Sequence, residues 1–356
     1  KYVIVIDASK GILYYVKIIQ TRMIKRGIQM IKFLKSFSVL STAGMLLILL
    51  GGALVTKTGS EDGCGNSWPL CEGQVIPSQF TFEMVVELSH RLVSGAVGIF
   101  IVILAVLAWR HLKTKEVKFL SFLSVFFLIV QALIGAAAVM WGQSDFVLAA
   151  HFGISLVSFA SVFLLMLLIF EIDQKWDTKS LFIKKKHRLE IYALIIYTMI
   201  VVYTGALVRH TESHLVCGDW PFCTNSSPFA FGDYNLNQWI QMGHRLAAGI
   251  LFVWTLVLFI RMVKQYKSNK VMYWSWIITL LLISFQVFFG AMIIFTVLNL
   301  GVALMHALVI SCYFGMLSYL SLLSYRSAKW EKASIASAEK TTNKNSDISL
   351  IAKDNI

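Results

Sequence analysis

Eight blocks of predominantly apolar sequence, each of at least 19 residues, decide most of what this chain can fold into. They lie at about 36–56, 84–109, 119–140, 146–171, 191–209, 239–260, 271–295 and 300–325. An apolar run of about 18 residues or more spans the hydrocarbon core of a bilayer as a helix. In that medium every backbone N–H and C=O must be satisfied within the segment, which a helix achieves. A water-soluble domain would carry about a quarter charged residues, whereas this chain is 14% charged and 57% hydrophobic over 356 positions. The expected fold class is an all-α polytopic membrane protein with eight transmembrane helices.

The net charge of +13 has two explanations, nucleic-acid binding or membrane topology. Placing the 32 Lys and Arg residues decides between them. Eight lie up to Lys35, four in 110–118, six in 175–188, four in 261–270 and six from Arg326 onward. All 28 fall on one side of an eight-span chain, as the positive-inside rule requires. The other four, Lys57, Arg91, Arg209 and Arg245, sit at the opposite ends of spans. Both termini are therefore expected in the cytoplasm of a multi-pass protein of the cell membrane, and nucleic acid is excluded as a partner.

The order of landmarks in the first four spans recurs in the last four. Gly52-Ala-Leu-Val55 returns at Gly205, Glu87-Leu-Ser-His90-Arg91 at Gln241-Met-Gly-His244-Arg245, Gln131-Ala-Leu-Ile-Gly135-Ala136 at Gln286, and His151 at His306. The offsets are 153, 154, 155 and 155 residues. An even number of spans per repeat keeps both halves in one orientation, related by an axis along the membrane normal. The expectation is two pseudo-symmetric four-helix bundles, residues 30–172 and 190–326, more narrowly 191–326 for the second. Residues 173–190 read as a basic cytoplasmic linker and 327–356 as a solvated, disordered tail. Residues 1–29 read as a dispensable extension. Their apolar stretch 11–19 is too short to span and is broken by Lys17, and Met23 and Met30 are internal starts.

Eight histidines divide by position. His111 and His187 fall in basic loops and read as solvated, and His210 and His214 read as polar residues of the loop after span five. His90, His151, His244 and His306 each lie just inside the outer end of an even-numbered span. Ionisable residues within a membrane are expensive and mark functional sites. Two histidines facing each other across a four-helix bundle suit the two axial positions of a haem iron. Zinc would need more ligands per site, and only Glu87 is at hand, in one half alone. One haem per bundle follows, on His90/His151 and His244/His306. Gly95, Gly98, Gly135, Gly153, Gly249 and Gly290 are candidates for close approach of helices or a macrocycle.

Arg91 and Arg245 directly follow the first histidine of each pair. They suit haem propionates by bidentate recognition, or anchor the span at the interface. Cys64/Cys71 and Cys217/Cys223 each bracket a Trp-Pro in an outer loop, and two intraloop disulfides are the simplest reading on a non-cytoplasmic face. They stiffen the loops or take part in redox chemistry. Cys312, within span eight, reads as a small buried hydrophobe. The halves differ where Glu87 stands opposite Gln241. A buried carboxylate moves protons and an amide does not, so proton-coupled chemistry is expected in the first half. Alternatively Glu87 only orients His90.

GALVTKTGS (52–60), CGNSWPLC (64–71), ELSHR (87–91), HFGIS (151–155), VVYTGALVRHTES (201–213), QMGHR (241–245) and His306 together resemble the haem A synthase family, in the bacterial form with cysteine pairs in its outer loops. The resemblance covers about 30–326, and residues 1–29 have no counterpart in it. It implies oxidation of the C8 methyl of haem O to a formyl group through successive hydroxylations and loss of water. The product is haem A for cytochrome oxidase. It further implies that His90 and His151 hold the haem O substrate and that Glu87 is the catalytic acid/base. His244 and His306 would hold a haem b that relays electrons, with Cys64–Cys71 close to the active site and Cys217–Cys223 as its counterpart. The lipid bilayer is the surrounding partner, and pathway logic adds haem O synthase. Two other readings compete. A non-enzymatic di-haem cytochrome b carrying electrons from quinol would yield only ordinary b haems, and a thiol–disulfide exchanger would depend on the four loop cysteines and not on the histidines.

Overall fold

The structure is a computed structural model that describes residues 8–142, 144–171, 181–228 and 231–353. Among these, eight α-helices form: α1 (Ala8–Lys57), α2 (Phe82–His111), α3 (Lys115–Trp141), α4 (Asp145–Ile169), α5 (Lys185–His210), α6 (Leu236–Gln265), α7 (Lys270–Phe295) and α8 (Leu300–Lys353). Each contains a stretch long and apolar enough to cross a membrane, and these stretches coincide with the eight sequence blocks. The large apolar side chains left exposed, such as Leu92, Ile99, Phe122 and Leu246, are what a lipid-facing surface requires, because lipid tails are as apolar as the side chains.

Local chemistry sets the helix starts. Thr81, Thr114, Ser144 and Asn269 each accept a backbone N–H from three residues on, and Asn235 with Gln238 forms a reciprocal capping box at α6. Such caps satisfy amide groups that have no partner within the helix.

The helices pack in two closed rings of four. In the first, α1 meets α2, α2 meets α3, α3 meets α4 and α4 returns to α1; α5 to α8 repeat this order. The rings join through α1 with α8, α4 with α5, and α4 with α8. The first two contacts exchange under the repeat and the third maps on itself, as a two-fold relation between the bundles demands. Close packing on that axis uses small residues. A methyl group placed on Gly315 of α8 would lie 3.2 Å from Phe159 of α4, and the equivalent Ala160 is buried.

Several boundaries differ from the sequence expectation. α5 begins at Lys185, inside the expected linker, whose residues 172–180 lie outside the described ones. α8 continues as helix to Lys353, where a disordered tail was expected from 327. Its first turns there are held by specific contacts. Ser327 Oγ accepts the Ile183 N–H at 2.7 Å, and Arg188 pairs with Glu331 at 2.7 Å. One turn earlier, Arg326 pairs with Glu116 at 2.5 Å. Ala, Glu and Lys beyond these contacts are strong helix formers. α1 is helical from Ala8, so the described part of the expected extension is continuous with the first span; residues 1–7 lie outside the described ones. His187, expected to be solvated, has Nδ1 2.9 Å from the Tyr266 hydroxyl, which also accepts the Lys184 N–H at 3.1 Å.

Candidate functional site

Each intramembrane histidine lies against a glycine of the helix before its own. A methyl group on Gly51 or Gly205 would meet His90 or His244 at 2.8 and 2.9 Å, and one on Gly135 or Gly290 would meet His151 or His306 at 3.1 and 3.3 Å. The repeated GALV and Q-x-x-x-G-A stretches thus supply the floor on which the four rings rest. A methyl group on Gly95 or Gly249, expected at close approaches, would meet nothing within 4 Å, and one on Gly98 would only reach Leu128 at 3.9 Å. Gly153 does receive a close neighbour, the hydroxyl of Tyr203 from the other bundle.

The two histidines of each bundle stand on helices that are not ring neighbours. α2 and α4 are diagonal in the first ring and α6 and α8 in the second. His90 is within electrostatic reach of His151 and His306 of His244. The α8 ring is docked on the glutamine of its Q-x-x-x-G-A stretch. The Gln286 amide nitrogen is 3.0 Å from His306 Nε2, while the equivalent Gln131 is buried with its side-chain oxygen unpartnered. His90, His151 and His306 each keep a buried Nδ1 with no protein partner. No group of three or more His, Cys, Asp or Glu side chains converges among the described residues. Two imidazoles across a diagonal, with buried nitrogens to spare, fit axial coordination of a haem and do not make a zinc site.

His244 is held differently from His90. Thr204 Oγ1 lies 2.9 Å from His244 Nδ1 and 2.8 Å from the Val201 carbonyl. A hydroxyl has one proton. With that proton on the carbonyl, the Thr204 oxygen accepts from Nδ1–H. His244 is thereby fixed with its Nε2 lone pair free, the arrangement that orients a metal-binding histidine. At the equivalent position the first half has Gly51, and His90 Nδ1 has nothing to bond. The repeat offset of 153 residues places Gly51 opposite Thr204 in the sequence, so pairing the halves residue by residue exposes this difference.

Both expected disulfides form, Cys64–Cys71 and Cys217–Cys223, while Cys312 is free. Each loop is fastened to the helix carrying the first histidine of its pair. The Cys64 N–H donates to Glu87 Oε2 at 2.7 Å, and the Cys217 N–H to Gln241 Oε1 at 2.8 Å. Glu87 and Gln241 are each only 3% exposed. The loop also sits flush on the start of α2, since a methyl group on Gly63 would lie 2.5 Å from the Glu83 carbonyl carbon. Glu87 therefore does not orient His90. Its other oxygen pairs with Arg91, whereas the Gln241 amide donates to the His214 carbonyl at 2.7 Å.

The two arginines are also committed to the loops. Arg91 Nη1 donates to the Ser67 and Leu70 carbonyls at 2.7 and 2.5 Å. Arg245 donates to the carbonyls of Asp219, Phe222 and Cys217 at 2.7, 3.0 and 3.2 Å. The propionate contacts expected of these residues compete with those bonds; what the structure gives them is the job of clamping a disulfide loop over each histidine pair.

The fold and site define a class: a duplicated eight-span membrane protein with a diagonal histidine pair and a clamped disulfide loop in each bundle. The chain belongs to the COX15-CtaA family of cytochrome oxidase assembly proteins, whose model matches residues 35–318. It is 65% identical over 306 residues to a haem A synthase of Oceanobacillus iheyensis, covering 86% of this chain and 99% of that protein. The haem A synthase of Lysinibacillus sphaericus is 54% identical over 302 residues, covering 85% of this chain and 98% of the relative. That of Bacillus cereus is 50% identical over 311 residues, covering 87% and 99%.

Proposed function

We propose that this protein is a haem A synthase, oxidising the C8 methyl of haem O to the formyl group of haem A. The observation that carries this reading is the pair of half-buried imidazoles across the diagonal of each bundle, repeated at one depth in a chain 65% identical to a haem A synthase. His90 and His151 hold the substrate haem O, and His244 and His306 hold a haem b cofactor. When bound, that cofactor supplies reversible one-electron chemistry. The Thr204–His244 contact supports the division, because a resident group gains from a fixed ligand and a substrate must enter and leave.

Glu87 is the ionisable member of the Glu87/Gln241 pair, and it lies one turn from His90 at the base of the Cys64–Cys71 loop. It exchanges protons with the reacting centre, while its second oxygen keeps the loop closed and water limited. Gly51 and Gly135 leave the rings room to meet a flat macrocycle. The basic ends of the helices face the cytoplasm with both termini, and the disulfide loops face outward. An enzyme supplying haem O is the natural neighbour in the membrane.

The test is pigment extraction with mass analysis from cells that co-express the full chain and a haem O source. Haem A and haem b together are expected. Two unmodified b haems and no haem A would replace this reading with an electron-carrying cytochrome b.

A further inference from the structure

With Arg91 and Arg245 committed to loop carbonyls, carboxylate recognition must come from other cations. Lys57, the last residue of α1, is half-buried at the end of the bundle where the disulfide loops lie. It is within electrostatic reach of Arg209, of His214 and, in the opposite bundle, of His306. Arg209 crosses the same interface the other way, its Nη2 donating to the Thr56 carbonyl at 2.5 Å. Its one ion-pair partner among the described residues is Glu212, at 3.1 Å, whose side chain is 76% exposed and so is worth little. Arg209 Nε and His214 Nδ1 are buried without a partner, and the Lys57 ammonium makes no hydrogen bond or ion pair among the described residues.

Two cations brought together at a membrane edge repel unless an anion lies between them. The repeat does not duplicate the arrangement, since the offset of 153 puts His210 opposite Lys57 and Thr56 opposite Arg209. The feature therefore serves one site only, and Arg209 says which, since it lies one turn beyond Gly205, the residue against which His244 rests.

We propose that Lys57, reaching across from the first bundle, forms with Arg209 the carboxylate-recognition site for the porphyrin held by His244 and His306. This rests on the assignment of a haem to that pair. It makes the second site incomplete without the first bundle.

The test titrates the purified full chain in nanodiscs with haem b and with its dimethyl ester, in a His90→Ala background that removes one axial ligand of the first site. The readout is the low-spin bis-histidine absorption spectrum. Wild-type Lys57 is expected to bind haem b about tenfold more tightly than the ester, the scale of one charge-assisted hydrogen bond. Lys57→Gln should lose that preference by weakening haem b alone, and Lys57→Arg should restore it. Equal affinity for acid and ester in the Lys57 protein overturns the proposal whatever the variants do, as does a Lys57→Gln protein that weakens both ligands equally. If neither ligand gives a bis-histidine spectrum, the histidine assignment itself falls, and this site with it.

Discussion

The two bundles share a frame and differ in how firmly it is held. In the second, Thr204 fixes His244, Gln241 is an uncharged strap, and Tyr313 ties the core together through Thr255 at 2.7 Å beside the buried Thr198. The same three core places in the first bundle are Met45, Ile101 and Ser158, all fully buried and without that network. His90 faces Gly51, and the strap there is the carboxylate of Glu87. The second bundle is knit by hydrogen bonds around a locked ligand. The first is packed by shape, leaves His90 Nδ1 without a partner, and has the carboxylate of the Glu87/Gln241 pair. That is the contrast expected between a site for a resident cofactor and a site for a substrate.

Exchanging the straps tests this most severely. Gln241 shows that an amide oxygen at this position accepts the loop's cysteine N–H at 2.8 Å. Glu87→Gln should therefore keep the Cys64–Cys71 loop closed and the first pair able to bind haem O, yet lower haem A formation by about 100-fold, the low end of what a proton-transfer residue contributes. Extracted haem composition gives the answer, and haem A at wild-type yield in Glu87→Gln would reduce Glu87 to a strap. The reverse change, Gln241→Glu, should leave haem A formation within a few-fold of wild type. It introduces a carboxylate facing the His214 carbonyl but puts no proton donor in the first bundle.

Removing the lock comes next in size. Thr204→Val keeps the shape and deletes the hydroxyl that accepts from His244, and such supporting contacts are worth about 10- to 100-fold in metal-site affinity. Haem loss from the second bundle to an excess of apomyoglobin should accelerate by about tenfold at the low end of that range, while Thr204→Ser should behave as wild type. An unchanged rate in Thr204→Val would mean that the two ligand sites are equally firm and that the contrast between bundles has another basis.

Most of the architecture was legible in the sequence because the bilayer imposes it. Apolar length gave the spans, and the constant offset gave the duplication seen in the helix contacts. The misreadings concern residues whose partners lie far along the chain. Nothing local distinguishes Arg91 beside a propionate from Arg91 clamping Ser67 and Leu70, because both use the same donors at the same membrane depth. Ser327 looked like tail because its bond to Ile183 joins positions 144 residues apart. Gly51 and Thr204 were readable, but only by comparing the halves position by position instead of motif by motif. The Glu87/Gln241 difference was seen at once, yet its shared structural half, the bond to a cysteine N–H, needed coordinates.

The smallest expected effect separates the cores. Interhelical hydrogen bonds inside membranes average about 0.6 kcal/mol, since the released groups find other partners. Tyr313→Phe removes the hydroxyl bonded to Thr255, but that threonine already donates to a carbonyl in its own helix at 2.8 Å. The loss should therefore be about 1 kcal/mol. Ser158, its counterpart, has a buried hydroxyl oxygen with no partner, and an unsatisfied polar atom in an apolar core is a cost. Ser158→Ala should accordingly be neutral or slightly stabilising, although it too deletes one buried hydroxyl. Thermal unfolding of both variants in the same detergent makes the comparison direct. Equal destabilisation would show that the two cores are held alike; opposite signs would show that hydrogen bonding stiffens the second bundle alone, below the histidine that Thr204 already fixes.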